Sequence, residues 1–172
     1  MHRRNNKILA IDPGTRKMGF ALLDGERLVY HGVKDFRWQD SPHAKLGQAR
    51  RFVLRLIEDF DPGTLAMEKA FFANNRTAAT LNALADEIRC LAKKRKLQIV
   101  ALHPSTVKKA ICGNGHASKR QVANAVVAEY PELKVFLTQD REWKERFHQN
   151  MFDAVALGIV ARKRLARLSP VN

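Results

Sequence analysis

The chain has 172 residues and 45% apolar content, which is ordinary for a globular protein and enough for one good-sized core. Lys and Arg total 31 against 17 acids, a formal charge of +14 with a pI near 10.3, so a polyanionic partner is expected, most often nucleic acid. Ribosomal and membrane-surface proteins share such a charge, but no apolar run here is long enough to span a bilayer and the N-terminus has no signal-peptide core. Cys90 and Cys112 fall on separate predicted helices without metal-ligand spacing, which fits a reducing cytoplasm. The expected organisation is a single domain over residues 1–172, with a frayed basic tail at 1–6 and a C-terminal tail at 168–172.

Ile8 to Ile11 reads as a buried strand that ends on a lone carboxylate, Asp12. Pro13-Gly14 marks a turn, and Gly19-Phe-Ala-Leu-Leu23 reads as a second strand. Asp24-Gly25 signals a hairpin into a third strand, Glu26 to Val33. Asp35 to Ser41 is a loop containing Trp38. From Pro42, apolar residues at Leu46, Ala49, Phe52, Val53, Leu56 and Ile57 have helical spacing, and Asp61-Pro62-Gly63 stops that helix. Thr64 to Glu68 is a fourth strand, again ending on an acid, followed by Phe71-Phe72 and the polar run Asn74-Asn75-Arg76-Thr77. Ala78, Leu81, Leu84, Ala85, Ile88 and Leu91 mark a second helix that ends in Lys93-Lys94-Arg95-Lys96.

Gln98 to His103 is a fifth strand, broken by Pro104, and Ser105 can cap a short helix through Cys112. After the glycine-rich Gly113 to Ala117, Ser118 and Gln121 form a capping-box pattern for a helix to about Glu129. Pro131 to Phe147 is charge-rich without periodicity and is expected to be a long loop. Asp153 opens a final amphipathic helix that runs into Arg162-Lys163-Arg164. The whole describes an α/β fold: a mixed five-stranded sheet, three antiparallel strands and then two parallel ones, flanked by helices.

Asp12 and Glu68 both end strands, and a helix packed on the same edge could deliver Asp153. Converging acids repel unless a cation neutralises them, and oxygen ligands suit Mg²⁺, with Mn²⁺ able to substitute. Two such ions can activate water and stabilise the leaving oxygen of a phosphodiester. With a basic surface, the implied reaction is hydrolysis of a nucleic-acid backbone. The plain alternative is that Glu68 is an exposed strand-end acid and that Asp153 merely complements a helix N-terminus. Phe71, beside Asn74, Asn75 and Arg76, suits a base-stacking platform with phosphate contacts, or else packs in the core. Lys108 and Lys119 flank the glycine-rich connection and suit a phosphate cradle, or else are ordinary surface charge.

The pieces Ile11-Asp-Pro-Gly-Thr15 with Gly19, Met67 to Asn75, Val107-Lys108, Lys119 with Gln121, and Asp153-Ala-Val-Ala-Leu157 stand in order over about residues 7–161. In this the chain resembles the RuvC-type Holliday-junction resolvases, members of the RNase H-like fold. The resemblance implies a homodimeric endonuclease that binds four-way DNA junctions and nicks two opposed strands symmetrically in recombination and repair. It also implies a possible link to branch-migration machinery. It makes Asp12, Glu68 and Asp153 metal ligands, places Lys108 and Lys119 at the cut, and stacks Phe71 on a base at the junction centre. One position departs: where the family's last motif carries a fourth ligand, Asp or His, this chain has Asn150, with His148 two residues earlier. Asn150 offers a ligand oxygen or a helix cap; His148 offers a nitrogen ligand or a base for the attacking water.

Three other readings share parts of this pattern. A loop like Asp12-Pro-Gly-Thr15 also opens actin-like phosphotransferases, but those repeat the domain and need about twice this length. A non-catalytic junction-binding module would make Asn150 a mark of lost activity, against three retained acids. A metal nuclease for forks, flaps or structured RNA keeps the chemistry and changes the substrate.

Overall fold

The computed structural model describes residues 5–36, 41–69, 76–137 and 142–168. Five strands, β1 (Lys7–Asp12), β2 (Lys17–Asp24), β3 (Arg27–Asp35), β4 (Thr64–Glu68) and β5 (Gln98–Leu102), form one sheet in the order β3-β2-β1-β4-β5. β1 pairs antiparallel with β2 and parallel with β4, and β4 pairs parallel with β5. This is the mixed sheet expected from the sequence. The β2–β3 turn places Gly25 at φ 60°, a conformation that favours glycine.

Strand alternation assigns a different kind of side chain to each face. Leu9, Ile11, Met18, Phe20, Leu22, Leu65 and Met67 point to one face and pack under α1 (Pro42–Phe60) and α2 (Arg76–Lys94). Ile8, Ala10, Ala21 and Ala66 point to the other, where α3 (Pro104–Cys112), α4 (Lys119–Glu129) and α6 (Glu142–Leu168) lie, with α5 (Lys134–Leu137) before α6. The centre of the second face is three adjacent alanines, Ala10, Ala21 and Ala66, so α6 approaches closely there. A Cβ on Gly19 would overlap the Asn150 carbonyl, and one on Gly158 would collide with Leu23 Cδ1. These two glycines, one on the strand and one on the helix, let α6 lie against β1 and β2.

Local signals behave as the residues dictate. Ser41 caps α1 by accepting from Ala44 N at 3.1 Å, and Asp61 ends it in the left-handed region at φ 44°. Ser118 and Gln121 form a complete capping box on α4. α3 begins at Pro104 with His103 as its cap residue, and the Ser105 hydroxyl instead meets His103 Nδ1 at 2.9 Å. Asn5, placed in the frayed tail by the sequence reading, is tied down: its Nδ2 donates to the Asp61 carbonyl and its Oδ1 accepts from Lys7 N.

The segment Pro131–Phe147 corrects the loop expectation. Pro131–Leu133 forms a 3-10 turn, α5 follows, and α6 already begins at Glu142. Its first turns carry Glu, Lys and Arg, which are good helix formers, and only two large apolar residues, Trp143 and Phe147, before Met151. Once the amphipathic part of α6 has formed, extension by such residues needs no new nucleus. Asp153 therefore lies about three turns inside the helix and not at its opening. That removes the helix-terminus explanation for Asp153 and the helix-cap explanation for Asn150.

Candidate active site

Asp12 and Glu68 reach the same place because of the period-2 rule. Asp12 shares a face with Ile8 and Ala10, and Glu68 shares one with Thr64 and Ala66. Ile11 registers with Met67, so the two acids follow one step further along adjacent parallel strands, on the α6 side. Asp12 faces Gly19 across the antiparallel ladder. Because Gly19 has no side chain, the α6 backbone at Asn150 settles against it and brings that helix turn to Asp12. Gly14 is needed in the preceding turn, where a Cβ would overlap the Lys17 carbonyl.

The Asn150 amide Nδ2 donates to Asp12 Oδ2 at 3.0 Å, and Gln149 Nε2 donates to Asp153 Oδ1 at 3.2 Å. The remaining Asp153 oxygen, Oδ2, lies 3.9 Å from Lys119 Nζ, whose side chain is 71% exposed. Burial, then Asp153 and Glu68, hold the Asp12 carboxyl well above the usual carboxylate range, and the Asn150 bond and Lys119 only partly oppose this. Glu68 is raised by burial and by Asp153, and lowered by Lys119 and Lys108. Burial also raises Asp153, against Lys119, the Gln149 bond and Lys108. The three acids and two lysines therefore form a single electrostatic unit.

The arrangement is open. Among the described residues no three His, Cys, Asp or Glu side chains are gathered into a ready-made ion cage. A cavity of about 360 Å³ lies at the other end of the sheet, lined in part by Asn5, Thr64, Gln98 and Arg162, and holds none of the acids. What marks the site of the three acids is under-compensated buried charge. The donor set is all oxygen, which fits a hard divalent cation, and a cation would remove the mutual repulsion that raises the Asp12 and Glu68 carboxyls.

The structure joins Asn150 to Asp12 and sets Lys119 beside Asp153, and Asp12, Glu68, Asp153, Lys108 and Lys119 act on one another through charge. It places His148 elsewhere. The His148 ring packs on Phe136 at 4.6 Å and Phe147 at 5.1 Å between centroids, and Lys17 Nζ sits over the Phe147 ring at 4.4 Å. Burial, Lys17 and His31 lower the His148 pKa, and no acid of the trio acts on it. To act as ligand or base His148 would have to turn toward the acids, whereas in the continuous α6 its ring packs on Phe136 and Phe147. Phe71 and Asn75 lie outside the described residues, as do Trp38, Phe72 and Asn74; the Arg76 backbone opens α2, but its side chain lies outside them too. Gln149 escaped the sequence reading. Its signal was the Gln–Asp spacing of four residues on a helix face, visible only if the helix is known to start before it.

The family profile described as "Crossover junction endodeoxyribonuclease RuvC" matches residues 8–159. The crossover junction endodeoxyribonuclease RuvC of Bacteroides fragilis is 37% identical over 122 residues, covering 68% of this chain and 65% of that relative's length. A solved structure of Thermus thermophilus RuvC matches with a TM-score of 0.73 at 25% identity, over 94% of this chain and 96% of that one. A T. thermophilus RuvC in complex with Holliday junction substrate also gives a TM-score of 0.73, at 22% identity over 95% of this chain and 96% of that one. Among the described residues no helix is long and apolar enough to cross a membrane. With its five-stranded mixed sheet of RNase H-like fold and the motif order of residues 8–159, the chain belongs to the RuvC family of crossover junction endodeoxyribonucleases.

Proposed function

We propose that the protein is a divalent-metal-dependent endonuclease that resolves four-way DNA junctions. The observation that carries this is the buried, like-charged trio Asp12, Glu68 and Asp153 beside Lys108 and Lys119, in a chain of net charge +14. The relatives named for crossover-junction cleavage, and the related protein solved with Holliday junction substrate, support the choice of DNA junctions over forks, flaps or structured RNA. Asp12, Glu68 and Asp153 would hold Mg²⁺, replaceable by Mn²⁺ and in two copies. The bound ions would activate water and stabilise charge on the phosphodiester oxygens.

The chain's own groups supply the rest. Lys119 is exposed and held only loosely by Asp153, so it can swing onto a phosphate, and the Lys108 charge acts on Glu68 and Asp153 as well. Asn150 turns an N–H donor, rather than its carbonyl oxygen, toward Asp12. Its role in this reading is to orient that acid, which leaves a three-carboxylate site. Two nicks in opposed strands require two such sites, so the reading includes a homodimer.

The test is cleavage of a synthetic four-way junction, a fork, a linear duplex and an RNA–DNA hybrid, with Mg²⁺ or EDTA, by wild type and Asp12→Asn. Paired symmetric nicks confined to the junction and to Mg²⁺ are expected. Loss of outer-sphere partners lowers activity by about 10–100-fold, so loss of a ligand should exceed about 100-fold while junction affinity in EDTA is kept. Undiminished nicking by Asp12→Asn, or equal cutting of linear duplex, would refute the proposal.

A further inference from the structure

Gln149 and Asn150 are consecutive residues of α6, and each donates a carboxamide N–H to a different acid of the trio, at 3.2 and 3.0 Å. Consecutive helical residues point about 100° apart, so one turn of α6 reaches both Asp153, on its own helix, and Asp12, on the sheet. Gln149 does this four residues before Asp153, the spacing at which helical side chains meet. The bond occupies Asp153 Oδ1 and leaves Oδ2 toward Lys119 at 3.9 Å. The two oxygens of one carboxylate are thus distinguished before any ion arrives.

We infer that Gln149 is a positioning residue: by holding Asp153 Oδ1 it makes Oδ2 the oxygen that Asp153 presents to the metal, in the place that Lys119 vacates for the DNA phosphate. The inference rests on the metal-nuclease reading above. The residue type matters here. A lysine or arginine at position 149 would also hold Asp153, but it would neutralise the carboxylate and compete with the ion. A carboxamide fixes the orientation and leaves the negative charge in place. Partners of this kind set ligand geometry at metal sites, and their loss typically weakens metal binding or activity by about 10–100-fold. Lys119, by contrast, is exposed and 3.9 Å away, well placed to exchange one anion for another. Gln149 itself is half-buried against the acid it holds.

Binding of Mn²⁺ to the full-length protein, measured by electron paramagnetic resonance without DNA, tests this. Gln149→Met keeps the side-chain length and removes the donor. It should weaken Mn²⁺ affinity by about tenfold or more. The melting temperature in EDTA should fall by no more than the loss of one hydrogen bond accounts for, junction affinity in EDTA should stay unchanged, and the nicking rate should return toward wild type at saturating Mn²⁺. A merely structural role would lower the melting temperature and leave the Mn²⁺ dissociation constant alone, so the dissociation constant decides. Gln149→Ala, a strong helix former, serves as the second variant should the methionine perturb folding. Wild-type Mn²⁺ uptake that Asp153→Asn abolishes, together with an unaltered dissociation constant in both Gln149 variants, overturns the role of Gln149 alone. Wild-type protein that takes up no Mn²⁺ overturns the metal-nuclease reading and this inference with it.

Discussion

Glu129 and Asp153 lie on the same side of the sheet, at opposite ends of the α6 packing surface, with side chains of nearly equal exposure, 29% and 25%. Glu129 is fully compensated. Arg162 donates to its Oε1 and Lys163 to its Oε2, while Arg162 also donates to the Tyr130 hydroxyl, which in turn donates to the Glu26 carbonyl. Asp153 has a neutral amide, a distant lysine, and two other acids in its field. The same chemical group at the same depth is thus a structural clasp in one place and an unsatisfied charge in the other. A fold that can neutralise a half-buried acid so thoroughly at Glu129 leaves the trio exposed to repulsion, and the proposed metal-holding role of the trio rests on that difference.

Breaking both ends should give stability changes of opposite sign. Glu129→Gln leaves Arg162 without its anion and should lower stability by about 1.5–3 kcal/mol, the range for hydrogen bonds to charged groups, with no change in nicking per folded molecule. Asp12→Asn in EDTA should raise stability at neutral pH. Burial, Asp153 and Glu68 raise the Asp12 carboxyl above its ordinary value of 3.8, so between that value and the raised one the folded state binds more protons than the unfolded. Its stability is fully present below 3.8 and is lost as pH rises through the folded pKa. Urea denaturation at a series of pH values in EDTA should show this decline in wild type, a shallower one in Asp12→Asn, and flattening when Mg²⁺ is added. A destabilised Asp12→Asn would mean that the trio is clasped as Glu129 is.

Much of this contrast was readable from the residues before the structure. Short apolar runs put Asp12 and Glu68 at strand ends, and they are neighbours once strand four lies beside strand one, as it does. The Ser118–Gln121 box correctly placed Lys119 at the first turn of a helix. The asymmetry of the two sheet faces was also written in Ala10, Ala21 and Ala66 against Leu9, Phe20 and Met67, although helical and strand periodicity alone does not say which helix takes the small face. What stayed hidden was the start of α6. A helix start dense in charge, with Trp143 and Phe147 as its only large apolar residues before Met151, reads as a loop, and with it went the Gln149–Asp153 spacing, the mid-helix place of Asp153 and the surroundings of His148. The partners of Glu129 were equally invisible, because they join α4 to α6 across 33 and 34 residues of chain.

Lysines sharpen the comparison. Lys119 and Lys163 each approach an acid, at 3.9 and 3.2 Å, but only Lys119 adjoins the trio. Lys119→Ala should reduce the slope of log K against log salt by about 0.9 for junction arms. It should also slow single-turnover nicking at saturating protein by about tenfold, less than the 10²–10³ for a buried oxyanion donor because this side chain is exposed. Lys163→Ala should leave the single-turnover rate unaltered. Equal rates in the two variants would make Lys119 ordinary surface charge.

The smallest effect is expected at His148, and its sign in pH opposes that of the acids. The imidazole sits among Phe136 and Phe147, and burial, Lys17 and His31 lower its pKa from 6.5. The unfolded state therefore binds more protons than the folded one between the lowered value and 6.5. Its contribution to stability is whole above 6.5 and is lost as pH falls from 6.5 through the folded value. His31, whose Nδ1 meets Met151 Sδ at 3.2 Å and whose pKa is also lowered by burial, adds a slope of the same sign. His148→Phe keeps an aromatic ring against Phe136 and cannot be protonated. With Mg²⁺ present to quiet the carboxylates, its melting temperature should fall less than that of wild type between pH 7 and pH 5. Nicking should stay within about twofold, where removal of a general base brings losses of about 10²–10⁴. If His148→Phe instead abolished nicking and removed an inflection from the pH–rate profile, the ring would have to reach the acids in the DNA complex. The contrast between a compensated end and a reactive end of α6 would then extend one turn further along the helix.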